Sequence, residues 1–151
     1  MLLELGRCAE WADLFFPDGI LRCAGAHGQA PVEFKGRTEL LSLGKRLMRG
    51  ELDIAAGNLA PPLRCRQVLS NITLFEQQAR HASGYAFVNV TTIGGREAPR
   101  WLASGRYSDQ LFKCAAGCWR FERRVFVGDG ALKAAGGADQ PLSTAEAVTV
   151  A

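Results

Sequence analysis

Gly105-Arg106-Tyr107-Ser108-Asp109, followed by Gly117-Cys118-Trp119-Arg120-Phe121-Glu122-Arg123-Arg124, is the stretch whose reading decides the fold. With Ala115-Ala116-Gly117 as a turn, it reads as a β-hairpin. Cys114 then opposes Cys118, Leu111 opposes Phe121, Asp109 opposes Arg123 and Tyr107 opposes Val125. One face carries Trp101, Ala103, Gly105, Tyr107, Asp109, Leu111, Trp119, Phe121, Arg123, Val125 and Val127. The other carries Arg106, Ser108, Gln110, Phe112, Arg120, Glu122 and Arg124. By alternation the first face is the buried one, and a bulge near the turn would exchange part of the assignment. Asp109 and Arg123 are the polar exceptions on it. They read either as a cross-strand ion pair or as an anchor for a polar ligand group. Tyr107 can pack its ring and turn its hydroxyl either to backbone or into a cavity.

Working outward, the period stays at two from Pro62 onward. Strands are expected near 63–76, 79–93, 100–114 and 118–127, joined by short turns into an antiparallel meander. Strands this long bend, so the sheet is expected to be strongly curved. Upstream the period is helical. Leu2, Leu3, Leu5, Cys8, Trp11, Ala12, Leu14 and Phe15 predict a helix over the first sixteen residues, ended by a Pro17-Asp18-Gly19 turn. Short strands follow at 19–24 and 32–35. A second helix is expected over 37–48, with Thr38 as its cap and Leu40, Leu41, Leu43, Leu47 and Met48 along one side. Residues 49–62 read as a long loop. Helices followed by a curved meander give an α+β domain over 1–130, with a loosely held tail over 131–151. The helices would close the concave face of about six strands, a shape that favours an internal cavity.

Composition narrows the classes of function. The chain has 151 residues, 48% hydrophobic and 22% charged, with a net charge of +3. That is one domain with room for a core. Its arginines are scattered, so no nucleic-acid partner is expected. No apolar run approaches the roughly 18 residues that cross a bilayer, so no membrane partner is expected. MLLELGRCAEW lacks the pattern of a secretory leader, and a cytoplasmic location is expected. Free thiols are then the expectation for the five cysteines. Cys114 and Cys118 alone face each other, at a hairpin end where they could oxidise. With only His27 and His81 as further ligands, no metal site is expected. No cofactor is expected either.

Taken in order, several segments resemble the SnoaL-like branch of the nuclear transport factor two superfamily. They are Trp11-Ala12-Asp13-Leu14-Phe15 with Pro17-Asp18-Gly19, Gly36-Arg37, Asn71, Gly105-Arg106-Tyr107 with Asp109, and Trp119-Arg120-Phe121 with Arg124. The resemblance runs from Leu2 to Asp129. It implies a cone-shaped sheet wrapped by helices, often dimeric, in a superfamily that holds ketosteroid isomerases, scytalone dehydratase, polyketide cyclases and pure binding modules. Fold alone therefore does not give function. In the dehydratase-like members an aspartate stands about seven residues before the tryptophan, and Glu4 occupies that place here. Their histidine, four residues before the asparagine, is replaced by Gln67, which cannot exchange a proton in the usual range.

Three readings follow, the third being a catalytically silent interaction module that uses the sheet's outer face as its interface. The first is a small-molecule-binding protein, taking an apolar or polycyclic ligand. Trp11, Phe15, Leu69, Tyr85 and Tyr107 would form its walls, Cys65 would line it, and Glu4, Gln67, Asn71, Asp109 and Arg123 would supply polar contacts. The alternative is a cofactor-independent lyase, isomerase or cyclase with Glu4 as general base and Tyr107 or Gln67 stabilising an enolate-like oxygen. A homodimer packed sheet against sheet is expected from Val68, Ile72, Leu74 and Phe112, which would leave the outer face apolar.

Overall fold

The computed structural model describes residues 2–24, 30–49, 64–93 and 101–129. The elements are α1 (Cys8–Ala12), β1 (Phe15–Cys23), β2 (Val32–Lys35), α2 (Gly36–Arg49), β3 (Arg64–Gln77), β4 (His81–Ile93), β5 (Trp101–Lys113) and β6 (Trp119–Gly128). The expected 49–62 loop, the 94–95 turn and the tail lie almost wholly outside the described residues. The strands form one mixed sheet in the order β2-β1-β6-β5-β4-β3. The meander β3 to β6 is antiparallel throughout, whereas β1 lies parallel to β6.

The sheet is curved, and α2 shows by how much. This helix packs against β1 and β2 at one end of the sheet and against β3 at the other. Over a flat sheet, a helix bridging the roughly 19 Å between β1 and β3 would lie on the strands between them, yet the main backbone approaches of α2 fall on the two ends. Extra residues in β3, β5 and β6 supply the bends. One of them places Asn71 at φ +48°, in the left-handed region that asparagine tolerates.

Two apolar clusters fill the inner side. Leu40 and Leu43 of α2 pack on Ala12, Phe15 and Leu21, with Trp11, Phe34 and Phe121 at the margin. Val88, Val90 and Tyr107 form the second cluster with Cys65, Leu102, Ala103 and Phe126. The start of α2 is closed by Glu39 rather than by Thr38: the Lys35 N–H donates to its carboxylate at 2.8 Å.

The N-terminal segment departs from expectation. Residues 2–6 form turns, Gly6 sits at φ +73°, and the helix proper is the single turn and a half of Cys8–Ala12. Local helical spacing loses to strand pairing here. Phe15 is buried beside Phe121, and the Phe121 N–H donates to the Leu14 carbonyl at 2.8 Å. Pro17-Asp18-Gly19 is likewise no separate turn but an irregularity inside β1, where a proline without an N–H is tolerated.

The hairpin also differs in one respect. Leu111 opposes Phe121 as expected, but β6 carries one extra residue between Phe121 and Arg123. Beyond it Asp109 opposes Arg124, not Arg123, and Tyr107 opposes Phe126, not Val125. Arg123, Val125 and Val127 therefore turn to the outer face. Trp119 and Phe121 are half-buried, and Trp101 is 68% exposed, so neither tryptophan belongs to the deep core. Cys114 and Cys118 are joined as a disulfide across the turn, and Cys8, Cys23 and Cys65 take no part in a disulfide.

Candidate functional site

The inner face of β3, β5 and β6 gathers the polar side chains of the concave side. Its centre is Tyr107, held between Ala86 on β4 and Phe126 on β6. The ring packs on Phe126 with centroids 5.5 Å apart. Its hydroxyl reaches over β4 and donates to Gln67 Oε1 at 3.2 Å. Gln67 pairs with Val90, and Cys65 with Thr92, so both face inward from β3. Burial pushes the Tyr107 hydroxyl up to about 12, against the opposing pull of the Arg124 cation. The phenol is thus a fixed hydrogen-bond donor at neutral pH.

The second polar element is the Asp109–Arg124 pair. Arg124 Nε donates to Oδ1 and Nη2 to Oδ2, each at 2.7 Å. Their side chains are only 10% and 15% exposed. The guanidinium carbon lies 3.9 Å from the Phe121 ring centroid and 4.4 Å from that of Tyr107. Two aromatic faces and one carboxylate hold the cation, so the site is electrically balanced. Two thiols border it: Cys23 opposes Phe126 across β1–β6, and Cys65 packs in the Tyr107 cluster. Burial pushes both up, so neither is an activated nucleophile. Among the described residues no three His, Cys, Asp or Glu side chains are grouped to hold a metal.

Of the residues singled out from sequence, Tyr107, Gln67, Cys65 and Asp109 come together here. Leu69 shares their face from its place opposite Val88, at the 40% exposed end of the wall. Trp11 and Phe15 stack at 5.5 Å in the α2 cluster instead. Tyr85 points the other way, into an outer row of rings with Phe75 and Phe87. Asn71 is exposed in its bulge, and Arg123 opposes Gln110 on the outer face. Glu4 lies on the 2–6 turn within 3.4 Å of Arg66. His81 is an exposed strand-end residue against Phe112, and His27 lies outside the described residues. Sequence reasoning missed Arg124, Phe126 and Cys23 as inward-facing groups. The Arg124 position was already part of the motif that suggested the family.

The Tyr107 environment gives a titration to measure. Its folded value stands above the ordinary 10, so the unfolded chain releases this proton first. The contribution to stability is complete below pH 10 and is lost as pH rises towards 12. Tyrosinate absorbance should show a late transition that Tyr107→Phe removes; ionisation near 10 would contradict the burial described.

No helix among the described residues is long and apolar enough to cross a membrane. No curated protein matches the chain. Among solved structures, Rv3472 of Mycobacterium tuberculosis is similar with a TM-score of 0.67 at 23% identity, over 85% of this chain. The match spans 63% of Rv3472, less than two thirds of that protein. An NTF2-like protein with a cystatin-like fold from Novosphingobium aromaticivorans gives 0.64 at 20% identity, over 89% of this chain and 77% of that one. A Catenulispora acidiphila protein in complex with S-DNPA gives 0.66 at 21% identity, over 88% and 87%. At such identities these likenesses establish an NTF2-like α+β fold. The SnoaL-like domain family itself matches residues 1–125, and the chain belongs to that family.

Proposed function

We propose that the inner face of the sheet binds a small, neutral, largely apolar molecule that carries a hydrogen-bonding oxygen. The observation that supports this most directly is the Tyr107–Gln67 hydrogen bond set in an apolar wall beside a charge-balanced Asp109–Arg124 pair. With Gln67 Oε1 accepting from the phenol, the amide N–H groups remain to donate to a ligand carbonyl or hydroxyl. Phe126 and the Tyr107 ring favour a flat, ring-bearing partner. A structural neighbour of the same fold was solved in complex with S-DNPA.

A thermal-shift screen of hydroxylated polycyclic and terpenoid compounds tests the reading. Melting temperature should rise saturably with a binder. Gln67→Ala should weaken that binder about three- to tenfold, the contribution of one hydrogen bond. A screen without binders, or a binder indifferent to Gln67→Ala, would overturn it. The alternative of acid–base catalysis by Glu4 gains no support from the pairing of that carboxylate with Arg66.

The same reading includes a homodimer formed through the outer surface of β3 and β4. Val68, Ile72, Phe75 and Phe87 are exposed there, with Tyr85 between the last two rings. Phe112 does not join them, being covered by Phe16, His81 and Arg80, and Leu74 opposes Gly84 on the inner face. Light scattering should give a dimer mass at tens of micromolar, and Phe87→Glu should return a monomer. A monomer mass for the unaltered chain would refute the dimer.

A further inference from the structure

We propose that the Cys114–Cys118 disulfide is an exchange site for an anionic low-molecular-weight thiol, with Cys118 as the sulfur that becomes thiolated. The geometry at the hairpin tip carries this. Cys114 N–H donates to the Cys118 carbonyl at 2.8 Å, and the two Cα atoms are 5.5 Å apart. That is the ordinary spacing of a hydrogen-bonded antiparallel pair, with or without a bond between the sulfurs. The turn is held separately, by Gly117 at φ +83° and its N–H to the Cys114 carbonyl. Oxidised and reduced forms can therefore share one backbone.

Access and charge point the same way. Cys118 is exposed, Cys114 is half-buried, and the space beside Gly117 is open. Along the strands the cysteine pair falls two residues beyond the Phe112–Arg120 pair, on the same face. Arg80 stacks on Phe112 there, its guanidinium carbon 4.8 Å from the ring centroid. Arg80 and Arg120 give the approach a positive potential, which favours an anionic thiolate and a thiolate leaving group. The other three cysteines lack this setting. Cys8 is buried, and burial raises Cys23 and Cys65.

In the forward step the incoming thiolate attacks Cys118 Sγ. A new S–S bond forms, the Cys114–Cys118 bond breaks, and its electron pair leaves on Cys114 as thiolate. A second external thiol then attacks the mixed disulfide. The external pair departs oxidised, and both cysteines are left reduced. Run in reverse, oxidised glutathione restores the internal bond.

Glutathione is the probe. In reduced glutathione the folded wild-type chain should gain two alkylatable thiols, at positions 114 and 118 only, and lose them again in oxidised glutathione. In Cys114→Ser, oxidised glutathione should leave one glutathione per chain on Cys118, because no resolving thiol remains. In Cys118→Ser the reaction at Cys114 should be severalfold slower. Arg80→Gln with Arg120→Gln should slow the reaction with glutathione severalfold and that with the uncharged hydroxyethyl disulfide clearly less, because only the first also loses the attraction of the anionic reagent. A bond that stays closed until the chain unfolds, or modification spread evenly over Cys8, Cys23 and Cys65, would overturn the proposal. So would equal slowing with both reagents. The wild-type measurement decides the matter should either cysteine variant fail to fold.

Discussion

Asp109→Ala is expected to cost roughly 3–5 kcal/mol of stability, because it strands a guanidinium in a site built for an ion pair. Arg124 would keep its position between the Phe121 and Tyr107 rings. It would lose both carboxylate bonds, at 15% side-chain exposure. The companion measurement is the pair of replacements together. Asp109→Ala with Arg124→Met removes the charge along with its partner and should be more stable than Asp109→Ala alone. Urea denaturation of the four proteins in this cycle supplies both numbers. A loss for Asp109→Ala below about 1 kcal/mol, the range of a solvent-exposed pair, would show that water reaches the guanidinium.

Gly105→Ala should be comparably damaging, at about 3 kcal/mol, for a steric reason. A Cβ at this position would stand 2.8 Å from Phe126 Cε2 and 2.9 Å from Gly128 Cα, with the Val127 carbonyl oxygen closer still. Two of those three are backbone atoms, so no rotamer change relieves the clash. The β5–β6 register must open where Phe126 seats Tyr107. Denaturant unfolding and the Tyr107 titration should both move. A stability within about 0.5 kcal/mol of the parent would mean that the sheet is looser here than described.

The fold was largely legible, and the exceptions have physical causes. Four alternating runs separated by turn residues specify the meander without tertiary information. The bulge at Glu122 left no trace in the pattern. It selects between two adjacent arginines, and an Arg-Arg pair reads the same whichever member turns inward. Tyr85 illustrates a second limit. On β4 the inward positions are Ala82, Gly84, Ala86, Val88 and Val90, while the rings of Tyr85 and Phe87 look outward. The inside of a tightly bent sheet has less room than the outside, so the usual rule of large apolar groups inward fails. The helical spacing of residues 2–15 was real, but pairing with a strand about a hundred residues later outweighed it.

Among the candidate residues, the inward facing of Tyr107, Gln67 and Cys65 was legible because strand alternation alone fixes their face. Phe126 and Cys23 were not, since their placement depends on the bulge and on the parallel β1–β6 pairing. No local pattern encodes that parallel pairing.

The same β1–β6 pairing has a consequence for how the chain is made. Phe15 lies beside Phe121 and Cys23 beside Phe126, so an early segment waits for a late one. During translation the hairpins of the meander can close as they emerge. The seat for α2, built from Phe15, Leu21 and Phe121, cannot. Until Phe121 has cleared the ribosome, the apolar side of α2 faces water or a chaperone. Docking β1 onto β6 closes a long loop late, which makes it the natural slow step of refolding and the stage most open to aggregation.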